Sequence, residues 1–366
     1  MNDISDGIFA KPLTFPIYQT SSYVVPGGEK YRYSREYNPT VENVGLKIKA
    51  MEHAEAYNAF SSGMGAITTT VLSLIHPGDR ALIHLDTFAR SYHFFTEYLR
   101  SWGVKIDVAD PGTDNIIKSI KNDTKLVFIE SLSNPILRVN DIKAISEKCR
   151  ETGSLLIVDA TFSTPVNIHP LDLGADIVIH SASKFISGHN DAIAGFAAGR
   201  EDLIEKIDNM RRTLGTSMDP NTAFLVNQGI KTLELRMERI NKNANIIAHE
   251  LQDSGNVKNV IYPGLDNHPD HEIALKYMNG FSGVVDFEIQ GDVEKFFKNL
   301  KNVVPANTLG GINTIISNPF TMSHRSLNES ELKILNVNKK FMRLSVGIEN
   351  PDIIIKDLLN AASATD

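Results

Sequence analysis

Lys184 is the first residue to read chemically. It follows the apolar run DIVIH at 176–180, flanked by Ser181, Ser183 and Phe185, and no other lysine lies between Lys148 and Lys206. A lysine at a strand end in a partly desolvated site has a lowered pKa and becomes a nucleophilic amine suited to Schiff-base formation. The same position also fits an ordinary surface lysine. Asp159 closes the run LLIV at 155–158. A carboxylate there needs a cationic or hydrogen-bonding partner, because burying it alone is costly. A pyridinium nitrogen would serve, and so would a helix N-cap or a structural ion pair. The stretch SSGMGA at 61–66 precedes an apolar helix: Ser61 and Ser62 can cap it, while Gly63 and Gly65 let the backbone approach a ligand. Free amides at a helix start bind phosphate, although a plain N-cap looks the same. Arg343 opens RLSVGIE at 343–349. Its fork can grip a carboxylate with two parallel hydrogen bonds, or simply be a surface charge.

Together these four features supply a Schiff-base lysine, a pyridinium partner, a phosphate cradle and an α-carboxylate clamp. That is the inventory of a pyridoxal-phosphate enzyme acting on an amino acid. Other chemistries lack their parts. There is no G-x-G-x-x-G after a strand and no G-x-x-x-x-G-K-[ST]. His268 and His271 flank Pro269 and Asp270, which reads as a loop entering a helix rather than a metal site. Cys149 is the one cysteine, so an internal disulfide and a cysteine-based zinc cluster are impossible. Cys149, Trp102 and the Phe94/Phe95 pair read as core.

The elements that position these residues follow from the pattern. Strand candidates are 80–85, 104–109, 125–130, 155–159, 176–180 and 193–199, with helix-like stretches at 64–75, 89–102, 114–121 and 140–152. Strands of nearly continuous apolar character alternating with helices predict a mainly parallel sheet covered on both faces. In such a sheet the chemistry sits at the carboxyl ends of the strands, where Glu130, Asp159, Ser181 and Lys184 fall. Residues 221–253 read as one long helix unbroken by proline. Behind it, NVIYPG, GVVDFEIQG and FMRLSVGIE, with helices at 268–278, 292–301 and 351–362, predict a smaller α+β domain. The organisation expected is an arm over 1–50, a large domain over 51–235 and a C-terminal domain over 236–366.

The balance of 37 Lys+Arg against 44 Asp+Glu gives a net charge of −7 in 366 residues, with no basic run. That disfavours a nucleic-acid or membrane-surface partner. A hydrophobic fraction of 42 % provides a sizeable core. No apolar stretch approaches the roughly 20 residues of a spanning helix, and the polar, acidic start MNDISDGIFAKP is unlike a signal peptide. A cytoplasmic globular protein is expected.

Nearly end to end, the chain resembles the Cys/Met-metabolism family of pyridoxal-phosphate enzymes. The segment LGADIVIHSASKFISGH at 173–189 is close to that family's lysine signature, and YSREYNPT 33–40, SSGM 61–64, ESLSNP 130–135, VDATFSTP 158–165 and YPGL 262–265 match as well. The resemblance implies an α/β, aspartate-aminotransferase-like (type I) fold, with a mainly parallel seven-stranded sheet and a smaller C-terminal domain. It implies pyridoxal 5′-phosphate bound through Lys184 and paired at its ring nitrogen with Asp159. Gly63, Met64, Ser181, Ser183 and Thr161 would complete the cofactor site. Tyr33 and Arg35 would reach the phosphate in a neighbouring subunit, which implies a homo-oligomer, a dimer of dimers. Arg343 and Asn134 would bind the substrate carboxylate, with Thr308 beside the lysine and Asn307 near the substrate. The activity implied is γ-elimination or γ-replacement of cystathionine γ-lyase or γ-synthase type, with O-acetylhomoserine sulfhydrylase and methionine γ-lyase as alternatives.

The departures concern the substrate side. Where the family has D-x-Y-G-G-T, this chain has Asp86-Thr87-Phe88-Ala89-Arg90-Ser91. Phe88 keeps an aromatic face over the cofactor but lacks the phenol credited with proton transfer, a role for which Arg90 and Tyr92 are alternatives. Ala160 replaces the asparagine after Asp159. A cofactor-binding paralogue with little catalysis is the competing class, and Phe88 is what keeps it open.

Overall fold

The computed structural model describes residues 12–24, 30–322 and 327–365. The start of the chain, expected not to be a signal peptide, lies in residues 1–11, outside the described residues. Seven strands form the first sheet: β1 (Ala56–Phe60), β2 (Arg80–His84), β3 (Lys105–Ala109), β4 (Thr124–Glu130), β5 (Leu155–Asp159), β6 (Ile177–Ser181) and β7 (Gly195–Gly199). Their spatial order is β1-β7-β6-β5-β4-β2-β3, and β7 alone runs antiparallel to its neighbours.

The alternation of the strands splits the core into two layers. On β4, Leu126 and Phe128 face the helices Gly63–Leu74 and Glu201–Leu214, packing with Ile67, Val71 and Ile204. Val127 and Ile129 face the other way, toward Val44 and Ile48 of the helix Pro39–Met51 and Ile145 and Cys149 of the helix Ile142–Thr152. With both faces covered, the strands must read as apolar runs, which is why five of the six expected strands are found in place. The sixth, expected at 193–199, begins two residues later at Gly195.

The second sheet contains β8 (Val257–Ile261), β9 (Val284–Ile289), β10 (Val304–Pro305), β11 (Ile315–Ser317) and β12 (Phe341–Ser345), in the order β10-β11-β12-β9-β8. The helix Pro351–Ser363 packs on it through Ile354, Leu358 and Ala361.

Three expectations need correction. β1 is a strand that periodicity did not reveal; its five residues, AYNAF, sit at the sheet edge and pair with β7. The stretch 221–253 is not one helix. It breaks after Ile230 and resumes over Leu233–Asp253. At the break the guanidinium of Arg236 donates to the carbonyls of Gly229, Phe185 and Ile186, which ties the second helix to the end of the first and to the lysine loop. Trp102 is not core: it ends its helix at a Gly103 turn and is 50 % exposed, whereas Phe94 and Phe95 are buried.

Candidate active site

The carboxyl ends of β4, β5 and β6 open into a cavity of about 1010 Å³ lined by Gly63, Met64, Phe88, Asn134, Asp159, Thr161, Ser181, Ser183, Lys184, Asn307, Thr308 and Arg343. The expected residues on the chain's own side therefore converge. Tyr33 and Arg35 do not join them. Tyr33 is 46 % exposed, and the Arg35 guanidinium lies 5.5 Å from the Tyr33 ring centroid and donates to the carbonyl of Arg212.

Each polar group is held by a short local network. The Thr161 amide and hydroxyl both donate to Oδ1 of Asp159, at 2.9 and 2.5 Å. The Ser181 amide in turn donates to the Thr161 hydroxyl at 2.8 Å, tying β6 to β5. Oδ2 of Asp159 has no partner among the described residues, and burial raises the carboxyl above its ordinary range while the Thr161 bonds oppose. A cationic N–H aimed at that oxygen would remove the cost.

The Lys184 amine donates to the Thr308 hydroxyl at 3.1 Å. Burial, reinforced by the positive charge of Arg343, lowers it from 10.5 to about 8. Arg343, 4 % exposed on β12, donates through Nη1 to Oδ1 of Asn134 at 3.1 Å. Its Nε is buried with no hydrogen-bond partner, a donor waiting for an acceptor.

The helix Gly63–Leu74 starts at the floor of the cavity, capped by Ser62 Oγ on the Gly65 amide. The amides of Gly63 and Met64, in its first turn, have no intrahelical acceptor. A Cβ on Gly63 would stand 2.6 Å from Cβ of Ser181, so only glycine lets the helix start lie against β6. Orphan amides, a half-satisfied buried carboxylate and a lysine of lowered pKa fit pyridoxal 5′-phosphate group by group.

Of two buried carboxyls, sequence reasoning placed Glu130 at the strand edge without giving it a role, and missed Asp286. Glu130 accepts the Phe88 amide on Oε1 at 2.7 Å and the Asn134 amide on Oε2 at 2.9 Å, so one side chain fixes both walls of the cavity. Burial and the neighbouring Asp159 push it well above the usual carboxylate range. Asp286 lies behind Arg343 on β9. The signal for Glu130 was an acid closing the apolar run of KLVFIE, and for Asp286 an acid directly after the apolar start of GVVDFEI, two residues before Glu288. His268 and His271 bond the carbonyls of Leu137 and Pro263, at 3.1 and 2.8 Å, in the loop leading into the helix His271–Tyr277. Tyr92 does not line the cavity; its hydroxyl donates to Glu331 at 2.8 Å.

The family profile described as Cys/Met metabolism PLP-dependent enzyme matches residues 7–363. The chain belongs to that family. It is thus a pyridoxal-phosphate-dependent enzyme of transsulfuration, and its substrate is an amino acid. It is 37 % identical to cystathionine gamma-synthase 1, chloroplastic, of Arabidopsis thaliana over 98 % of this chain and 66 % of that one. It is 36 % identical to the cystathionine gamma-lyase of Bacillus subtilis over 94 % of this chain and 93 % of the relative. The chain thus spans about two thirds of the plant synthase and nearly all of the bacterial lyase. The crystal structure of cystathionine gamma synthase from Xanthomonas oryzae pv. oryzae, in complex with aminoacrylate and cysteine, superposes with a TM-score of 0.93 at 32 % identity, over 96 % of this chain and 94 % of that one. The type I fold expected from the sequence, with its mostly parallel sheet and second smaller sheet, is the fold found. Among the described residues no helix is long and apolar enough to cross a membrane.

Proposed function

We propose that the protein catalyses γ-elimination or γ-replacement on a sulfur amino acid or an activated homoserine, the chemistry of cystathionine γ-lyases and γ-synthases. The observation that carries this reading is the convergence of Lys184, Asp159 and the Arg343–Asn134 pair in one cavity. When bound, the cofactor supplies an electron sink for charge developed at the substrate carbons. Lys184 is the covalent attachment point, and its amine, lowered to about 8, is suited to take and return protons near neutral pH. Asp159 holds a positive charge at the ring nitrogen, and Thr161 orients the carboxylate for it. Gly63 and Met64 amides, with Ser181 and Ser183, hold the phosphate, and the Phe88 ring stacks. Arg343 and Asn134 bind the substrate carboxylate, with Asn307 near the side chain and Thr308 holding the free lysine. The arm, residues 1–50, completes a neighbour's site with Tyr33 and Arg35, in a dimer paired into a tetramer. The division into 51–235 and 236–366 assigns one sheet to each unit.

Sulfhydrylase and methionine γ-lyase activities are the alternatives within this class. A second class, cofactor binding with little catalysis, is favoured by one observation: Phe88 has no phenol, and Tyr92 is engaged with Glu331. The test is a substrate panel with product identification, using cystathionine, methionine, cysteine and O-acetyl-, O-succinyl- and O-phosphohomoserine, with and without a thiol. Release of a 2-oxo acid and ammonia, or formation of a new thioether, supports the reading. A yellow protein inert on the whole panel supports the second class.

A further inference from the structure

Two histidines and an aspartate come together outside the cavity. His53 follows the helix Pro39–Met51, and His169 and Asp172 sit on the crossover from β5 to β6, after the short helix Thr164–Asn167. The rings of His53 and His169 stack, with centroids 4.5 Å apart and planes 18° from parallel. Nδ1 of His53 lies 2.8 Å from Oδ2 of Asp172. A ring nitrogen of each histidine and a carboxylate oxygen of Asp172 all lie within 4.8 Å of one another. None of the three residues lines the cavity at Lys184. A plain His–Asp pair accounts for His53 and Asp172 but leaves His169 unexplained. Nδ1 of His169 is shut off from solvent and has no hydrogen-bond partner among the described residues. Burying a ring nitrogen unpaired is costly, and no hydrogen bond at that nitrogen holds the ring where it is.

We propose that His53, His169 and Asp172 bind one divalent transition-metal ion of the Zn²⁺ or Ni²⁺ class, with water in the remaining positions. Two imidazoles beside one carboxylate favour such an ion over Mg²⁺ and Ca²⁺, which take oxygen ligands. The spacing suits it. Two ligands about 2.1 Å from one ion and at right angles to each other are about 3.0 Å apart, close to the 2.8 Å between His53 and Asp172. Small side-chain rotations bring the His169 nitrogen onto the same ion. The ion replaces the proton between Nδ1 of His53 and Oδ2 of Asp172, and the neutral ring carries its proton on Nε2 instead. The side chains of His53 and Asp172 are 55 and 51 % exposed, so the ion enters directly from solvent. Once bound, it staples the end of the helix that carries the arm to the crossover that leaves Asp159. The site is independent of the γ-chemistry proposed above.

The test uses untagged holoenzyme, treated with a chelator and then titrated with Zn²⁺, Ni²⁺ and, as a control, Mg²⁺. Calorimetry gives affinity and stoichiometry, and the Tm is followed alongside. One Zn²⁺ or Ni²⁺ per chain should bind and raise the Tm, because an ion that binds only the folded chain stabilises it. Mg²⁺ should do neither. His53→Gln, His169→Gln and Asp172→Asn should each weaken the transition ion by at least the roughly 10- to 100-fold that losing even a residue behind a ligand costs. The absorbance of the bound cofactor and the Tm without metal should stay close to wild type in the His53 and Asp172 variants, whose side chains are exposed. These two keep the test decisive should His169→Gln fail to fold. No uptake by the wild type at millimolar concentration overturns the proposal. So does uptake that the His53 and Asp172 variants retain, which places the ion elsewhere, and so does an equal response to Mg²⁺, which marks a carboxylate site without the histidines.

Discussion

Arg343 and Asp286 are direct Cα partners across the β12–β9 pair, and both side chains are buried. Neither oxygen of Asp286 has a hydrogen-bond partner among the described residues. Burial pushes the Asp286 carboxyl well above the usual range, with the Arg343 charge opposing. Burial also lowers Arg343, with Asp286 opposing. The proposed carboxylate clamp thus has an acid beneath it that is neutral at low pH and a competitor once ionised.

The sign of the consequence follows. Below the folded pKa of Asp286 the full charge of Arg343 is available to the substrate. As pH rises through that raised pKa, ionised Asp286 draws on the same guanidinium and KM climbs. Asp286→Asn should flatten the KM–pH profile and lower KM at its alkaline end by roughly tenfold, one pK unit of interaction. Parallel profiles for the two proteins across the range would show that Asp286 does not act on the clamp.

Lys184 gives a second pH prediction, for the protein freed of cofactor. Its folded pKa of about 8 lies below the ordinary 10.5, because burial and Arg343 disfavour the charged form. Between those values the unfolded chain holds more protons than the folded one, so this group makes stability rise with pH across that window. Only the neutral amine attacks an aldehyde. The rate of pyridoxal-phosphate uptake should rise about tenfold per pH unit below about 8 and level off above it. Stopped-flow absorbance measures it. In Arg343→Gln, which lacks the repelling charge, the inflection should move upward; an inflection that stays fixed would assign the whole shift to burial.

Much of the site was legible in the sequence, because residues such as Asp159 and Lys184 contradict their surroundings: a charge closing an apolar strand must be offset by a partner. The double coverage of the large sheet was legible for the same reason, since β4 and β5 have no polar face. What stayed hidden is what depends on tertiary contact alone. Nothing local in TAFLVNQGIKTLELRM marks the break near Thr232; it is set by Arg236 reaching three carbonyls of other segments. Nothing local gives Glu130 its two amides, which come from residues 42 positions before it and 4 after it. Trp102 looked internal because helical spacing cannot say where a helix ends.

The arm supports a prediction about assembly. Tyr33 and Arg35 lie outside the cavity of their own chain, and the isolated bridge Ser22↔Tyr33 is the only strand-type pairing of the arm among the described residues. If they complete a neighbour's phosphate site, Lys184→Ala and Arg35→Ala proteins are each defective, yet a mixture contains hybrid dimers with one intact site. Mixing after subunit exchange should recover up to about a quarter of the wild-type activity, as the statistics of random pairing in a closed dimer require. Native mass spectrometry establishes that exchange has occurred; exchange without recovery would place Arg35 in its own chain's function.

Phe88 carries the last prediction. Its amide is fixed on Glu130 at 2.7 Å and its ring borders the cavity, so the aromatic face is held while the hydroxyl is missing. Phe88→Ala should weaken cofactor binding, since an aromatic contact is worth about 0.5–1.5 kcal/mol beyond its buried area. Phe88→Tyr should leave that affinity nearly unchanged and alter chemistry instead. A phenol at this position can protonate a departing sulfur, an effect worth ~10²–10⁴-fold in the step it assists. The gain should therefore appear for cystathionine and methionine, whose thiolates leave poorly, and be small for homoserine esters. The measurement is kcat/KM for one thioether and one ester in both proteins. An equal change for both, or a wild-type enzyme already fast on thioethers, would mean that another group supplies the proton. Tyr92 is a poor substitute, being tied to Glu331 outside the cavity, and an arginine such as Arg90 keeps its proton, which leaves the solvent at the rim.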